Sequence, residues 1–329
     1  VERVAGATGV DLAGRSSSPT VPLDRRDPSP EAFRRVLANL AETIAANVDG
    51  TVEDVDPEFL HELRVAVRRS RAVLGEAKGA VPEDLRRRYR EELAWVQQST
   101  GEARDLAVQV MGWADLVGPL TAADPAGLAA VRDEVERQRQ AAQRALVKDL
   151  RSARFRKLLD GWRTALRAPL QVDEPLRPVG PHVAKRIERA QTRLLDAGRA
   201  ITPDSPAEAL HDLRKDAKRL RYLLECFGSL LEPKARKAFV QRLKGLQDNL
   251  GDHQDAEVQV GRLRDLADEL HRRPKVGAGA VLAMGQLTEL LEQRRAAERA
   301  DFADRFAAYD SKRTRRALDD LVAPLKEAR

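Results

Sequence analysis

Apolar residues recur at three- and four-residue spacing along most of the chain. β-Branched runs are rare, and Ala, Leu, Arg and Glu dominate. That period places one apolar stripe on each helix and predicts an all-α fold. Ser29-Pro30, Asp56-Pro57 and Ser205-Pro206 each put a capping residue before a proline suited to a first helical turn. Ser205 with Glu208 also has capping-box spacing. Gly50, Gly101, Gly118, Gly180, Gly251 and the Gly277–Gly279 pair are expected to mark helix breaks or ends.

One stretch of this pattern occurs twice. Phe59-Leu60-His61-Glu62-Leu63-Arg64-Val65-Ala66-Val67-Arg68-Arg69-Ser70-Arg71 is matched, 150 positions on, by the stretch from Ala209 through His211 and Arg214 to Arg221. At the same offset Leu37, Ile44, Leu93, Gln97, Gly101 and Asp105 correspond to Ile187, Leu194, Leu243, Gln247, Gly251 and Asp255. Arg154, Arg156, Lys157 and Leu159 match Arg313, Arg315, Arg316 and Leu318 after a further drift. Self-similarity of this extent predicts two related units, residues 31–170 and 176–329, behind a Gly/Ser/Pro-rich linker or arm at 1–30. Each unit is expected to hold about four to six helices in an antiparallel bundle. The two would be related by a pseudo-two-fold with a basic groove or pore between them.

On a helical wheel, His61, Arg64, Arg68 and Arg71 share one side, and Leu63, Val67 and Leu74 share the other. His211, Arg214, Lys218 and Arg221 repeat the row, with Leu213, Ala217, Leu220 and Leu224 behind it. Arg69 and Arg219 stand roughly 80° off the histidine direction, and Lys215 stands about 40° off. A row of cations on one face costs Coulomb energy unless an anion is present. Carboxylates from other helices would give a plain solvated face. Repetition of the row, with a histidine in the same place, favours anion binding. Arginine donates paired hydrogen bonds to phosphate, and lysine adds a point charge. Arg35, Lys185, Arg189, Lys244, Arg156 and Arg315 are further basic candidates.

Charge and composition narrow the partners. Net charge is only +6, from 58 Lys+Arg against 52 Asp+Glu, so the cations matter through clustering rather than excess. Cys226 is the single cysteine, which excludes an internal disulfide framework and a multi-cysteine metal site. No apolar run approaches the roughly 20 residues of a membrane span, and no signal peptide precedes the arm. A cytoplasmic protein is expected.

The spaced pair of His-x-x-Arg motifs with clustered Arg/Lys, together with Leu-x-x-x-Gln-x-x-x-Gly-x-x-x-Asp at Leu93…Asp105 and Leu243…Asp255, resembles the CHAD family, the conserved histidine α-helical domain. The resemblance covers about residues 31–329. It implies two helical bundles around a basic cavity, binding of inorganic polyphosphate, and association with polyphosphate granules. Carried onto this chain, the polyphosphate-binding residues would be His61, Arg64, Arg68, Arg69 and Arg71, facing His211, Arg214, Lys215, Lys218, Arg219 and Arg221. Members often follow a CYTH domain, so the chain is expected to be the CHAD portion of a longer protein. Val65 stands where the second copy has Lys215, which leads to the expectation that the second row binds more strongly. The histidines are expected to make binding tighter near pH 6 than pH 8.

Other functions are expected to be secondary. The histidines lack a His-x-x-x-His or His/Cys pattern, and Glu62 and Asp212 sit off the histidine face, so no metal site and no cofactor are expected. No Walker loop supports phosphoryl transfer, which leaves a phosphate-compound enzyme as the alternative to a non-catalytic binder. Only 13 residues are aromatic, poor material for base stacking, so nucleic-acid binding is expected to be weak and salt-sensitive. A scaffold for protein partners alone would leave the cation rows without a role.

Overall fold

The computed structural model describes residues 16, 21–120, 124–173, 175–271 and 277–327. The described part is all-helical, as the period predicts. The first half runs through α1 (Ser29–Ala46), α2 (Val48–Val52), α3 (Pro57–Glu76), α4 (Glu83–Ser99), α5 (Gly101–Met111), α6 (Trp113–Val117), α7 (Pro125–Leu150) and α8 (Ala153–Ala165). The second half has α9 (Val179–Arg199), α10 (Ala207–Cys226), a short 3₁₀ turn at Gly228–Leu230, α11 (Pro233–His271), α12 (Ala278–Tyr309) and α13 (Lys312–Lys326).

The helix count is uneven because equivalent glycines act differently. Gly101 opens α5 after a break at Thr100, whereas Gly251 lies inside the unbroken α11. The first half therefore has more segments than expected, though α4 and α5 together match α11. Gly50 also lies within a helix, inside α2. Of the predicted caps, Asp56 works as read, its carboxylate accepting from Glu58 N at 2.7 Å. Ser29 does not cap: it sits in the first turn of α1, and its hydroxyl donates to Pro178 O at 3.2 Å. Ser205 turns to its own loop, accepting from Thr202 N, so the capping box with Glu208 does not form. In both cases a tertiary or loop partner takes the hydroxyl first.

Packing repeats between the halves. α1 packs on α3 as α9 packs on α10; α3 contacts α4 as α10 contacts α11. The two series meet where α3 lies against α10 and α7 against α12. Just before α1 and α9, Pro28 and Pro178 form an antiparallel bridge. Its bonds are reciprocal: Ser29 N donates to Arg177 O at 2.8 Å and Val179 N to Asp27 O at 2.9 Å. Each position is 150 residues from its counterpart, as exchange about a local two-fold requires. The buried apolar residues of both halves form one contiguous cluster, from Val21 to Leu325. Residues 1–15 and 17–20 of the arm lie outside the described residues. Its end at 21–28 crosses to the second half, where Ser229 Oγ donates to Val21 O at 2.7 Å and Arg25 Nε to Leu230 O at 3.2 Å.

The α7–α12 crossing needs glycine. A Cβ on Gly127 would run into the Gly279 carbonyl, and one on Gly279 into the Asp124 carboxylate that caps α7. Gly127→Ala is expected to lower stability by about 1–3 kcal/mol through overpacking of backbone on backbone. Urea unfolding of the variant and the parent measures it.

Candidate anion-binding seam

The apolar backs predicted for the repeated helices are buried: Leu63, Val67 and Leu74 on α3, and Leu213, Ala217, Leu220 and Leu224 on α10. Burying those stripes fixes the helix rotation, so the cation rows turn to the other side. Since α3 and α10 contact each other, the rows meet along one seam rather than on opposite surfaces. Arg68 is near enough to Lys218 for each charge to be felt by the other.

Equivalent side chains make contacts at equivalent positions. Arg71 donates to the Gln97 side-chain carbonyl, and Arg221 Nη1 to Gln247 Oε1 at 3.4 Å. Arg64 and Arg214 lie beside Gly101 and Gly251. His61 Nδ1 lies 3.1 Å from Arg104 Nη2, and His211 Nδ1 contacts Gln254 Oε1, again 150 positions apart. Arg64 is buried and donates to Gln97 O at 3.0 Å and Thr100 Oγ1 at 2.7 Å, with neutral acceptors in place of a carboxylate. Its guanidinium is pushed down to about 10, first by burial and then by Arg68. Arg214 reaches Asp255 at 3.1 Å, so the repeated acid holds one cation of its row.

At the centre stand Arg68 and Lys218, equivalent positions from the two halves. Neither has an ion pair or hydrogen bond among the described residues, and Arg68 Nε is buried without a partner. Burial, then Arg214 and Arg68, push the Lys218 ammonium down to about 7. Two cations are thus held together, half-buried, with no carboxylate paired to either among the described residues; the nearby Asp255 is engaged by Arg214. Such an arrangement raises the energy of the unliganded protein and is relieved by an anion.

Arg69 and Arg219 leave the rows for a different task. Buried Arg69 pairs with Glu225 of α10 and lies 5.9 Å from the Tyr222 ring centre. Arg219 approaches Glu76 of α3 at 3.7 Å and Asp216 at 3.5 Å. Arg69–Glu225 and Arg219–Glu76 each join α3 to α10 and so tie the halves together. Arg221 Nε also donates to Glu225, at 2.6 Å.

Lys215 is 62% exposed and pairs with Asp212 at 2.9 Å, so the extra cation of the second row is already matched. The first half instead gains Arg104, whose equivalent is Gln254. The asymmetry expected from Val65 therefore has no basis in the free cations. Arg104 was missed because it lies on another helix, although it falls within the repeated Gly-x-x-x-Asp element. Its Nη1 donates to Pro57 O at 3.0 Å. Burial and then Arg104 push the His61 imidazole below its ordinary value, favouring the neutral ring.

The outlying candidates do not join the seam. Arg35 binds Asp27 and Pro22 O and so fastens the arm. Lys244 pairs with Asp248 at 2.8 Å and Arg315 with Asp310 at 3.6 Å. Lys185 and Arg189 line an open groove on α9 with Glu188 and Asp196. Arg156 lines another between α2 and α8.

One metal-capable group does gather. Donor atoms of Glu58, His61 and Glu62 lie within 4.8 Å of one another, because the Glu62 side chain is long enough to reach around from its own wheel position. Arg104 beside the His61 ring opposes a cation there. Burial, then Glu62, raise the Glu58 carboxyl.

A family model described as the CHAD domain matches residues 35–264. Two uncharacterized proteins of Mycobacterium tuberculosis, MT2285 of strain CDC 1551 and Rv2226 of strain H37Rv, are each 29% identical over 206 residues. Those matches take in 61% of the chain but only 39% of the relatives' length. The crystal structure of the CHAD domain from the plant Ricinus communis is 27% identical with a TM-score of 0.67, covering 96% of this chain and 98% of that one. PptA from Streptomyces chartreusis shares the fold, with a TM-score of 0.68 at 20% identity over 85% of this chain and all of that one.

Proposed function

The chain belongs to the CHAD domain family, and from that premise we propose that it binds inorganic polyphosphate along the α3–α10 seam without cleaving it. The supporting observation is the central pair of cations, Arg68 and Lys218, drawn from both halves and left without carboxylate partners. A linear polyanion meets both rows at once, with Arg64, Arg71, Arg104, Arg214 and Arg221 extending the contact to either side. Pairing with phosphate oxygens then replaces the repulsion that the empty seam carries. Repeating negative charge suits a row about 15 Å long better than one small phosphate does. His61, whose Nδ1 accepts from Arg104, presents its other ring nitrogen as a neutral hydrogen-bond donor. Binding to nucleic acid is secondary in this reading, and recruitment to polyphosphate granules follows from affinity for the polymer. No described helix is long and apolar enough to cross a membrane.

The pH response belongs mainly to Lys218 rather than to the histidines. Its charged form is the binding form, populated below about 7 and lost above it. Polyphosphate affinity at fixed ionic strength is therefore expected to fall by several-fold, at most about tenfold, from pH 6 to pH 8. Lys218→Arg should flatten that profile, because arginine stays charged throughout. Titration calorimetry at the two pH values checks both outcomes. An unchanged slope in the variant would return the response to the histidines. Non-catalytic binding is checked by incubating the protein with long-chain polyphosphate and Mg²⁺: the chain length should stay as in the protein-free control.

A further inference from the structure

Three described lysines pair directly with carboxylates. Lys215 pairs with Asp212, Lys244 with Asp248, and Lys326 with Glu188. Lys218 differs. Its charged neighbours are Arg214 and Arg221 from its own helix, Arg68 from α3 and Asp255 from α11. Asp255 is already engaged by Arg214. The amine is half-buried in the seam and accepted by no carboxylate among the described residues. With its ammonium pushed down to about 7, a large share is free amine at neutral pH. A free amine is a nucleophile, and desolvation beside other cations is a common way to activate one. The same cations are suited to hold a phosphate group beside it.

We infer that Lys218 is a covalent modification site for small acyl phosphates, seated by Arg68 and Arg214 so that Nζ faces the acyl carbon. The Nζ lone pair adds to the carbonyl carbon and forms the C–N bond. Collapse of the adduct breaks the bond between that carbon and the bridging phosphate oxygen. Inorganic phosphate departs with the electron pair, and the proton lost from Nζ passes to it or to water. Arg68 and Arg214 offset the charge that grows on the leaving phosphate. The product is a neutral amide, so the seam loses one of its two central cations. Modification thereby weakens polyanion binding, which makes the same lysine a point of control. This inference rests on the anion-binding reading of the seam.

The test treats the full chain with acetyl phosphate at pH 7.5 and follows each lysine by peptide mass spectrometry. Lys218 should be acetylated at least tenfold faster than Lys244, and long-chain polyphosphate should suppress Lys218 alone. Arg68→Gln should reduce labelling by acetyl phosphate more than labelling by N-hydroxysuccinimidyl acetate, which has no phosphate and reports only the change in amine reactivity. Equal rates at Lys218 and Lys244 would overturn the inference. If calorimetry shows polyphosphate bound yet Lys218 stays unmodified, the inference fails and the binding function stands. If Lys218 is modified but polyphosphate neither binds nor protects, the polyphosphate reading fails and the acylation site stands.

Discussion

Replacing Arg68 and Lys218 together with glutamine is expected to weaken long-chain polyphosphate binding by about 100-fold or more. Hydrogen bonds to charged groups contribute about 1.5–3 kcal/mol each, and two are lost at the centre of the seam. At about 1.4 kcal/mol for each tenfold, even the low end gives two decades. Either single change should cost about tenfold. The salt dependence should become shallower as well, since fewer counterions leave the polymer when fewer cations meet it. Stability is expected to move the other way. Neither side chain has a partner to abandon, and both are crowded by like charge. The double variant should therefore melt no lower than the parent, and higher at low salt. Loss of affinity with retained or raised melting temperature separates a ligand-contact role from a structural one. Calorimetric titration and a thermal melt on the same preparation supply both readings.

Glu225→Ala is expected to be the most damaging single change to the fold, by about 3–5 kcal/mol. The Glu225 carboxylate accepts from Arg69, whose side chain is only 7% exposed, and from Arg221. Removing it takes this carboxylate away from a buried guanidinium, between helices from opposite halves. The Arg219–Glu76 approach is a useful contrast. Arg219 is 36% exposed and only approaches Glu76 at 3.7 Å, so Arg219→Ala should cost no more than about 1 kcal/mol. Denaturant unfolding of the two variants side by side gives the difference. Equal stabilities would remove Arg69–Glu225 as the clamp between the halves. Polyphosphate affinity should survive in folded Glu225→Ala, because Arg221 is freed towards the seam.

How far the sequence carries this account differs from element to element. The buried stripes of α3 and α10 were legible because burial follows the helical period, and Leu63, Val67, Leu213 and Leu220 lie where the wheel puts them. The wheel also set Arg69 and Arg219 off the row, although the motif grouped them with it. Their carboxylates, Glu225 and Glu76, come from the opposite half. No local pattern announces a pair formed between the halves. Arg104 was hidden for a related reason. It reaches His61 from another helix, and its equivalent is Gln254, so a search for repeated cations passes over it. Ser29 and Ser205 fit the capping rule but found other acceptors and donors first. Whether the two rows face one another was set by the α3–α10 contact, which depends on helix packing beyond the range of any motif.

The seam as the binding site for a linear polyanion is tested most directly by a crystal structure of the protein with long-chain polyphosphate. Phosphate density is expected to run between α3 and α10, with oxygens within hydrogen-bonding distance of both Arg68 and Lys218. A polymer lodged instead on the outer face of α9, along Lys185 and Arg189, with the seam empty of phosphate, would contradict it.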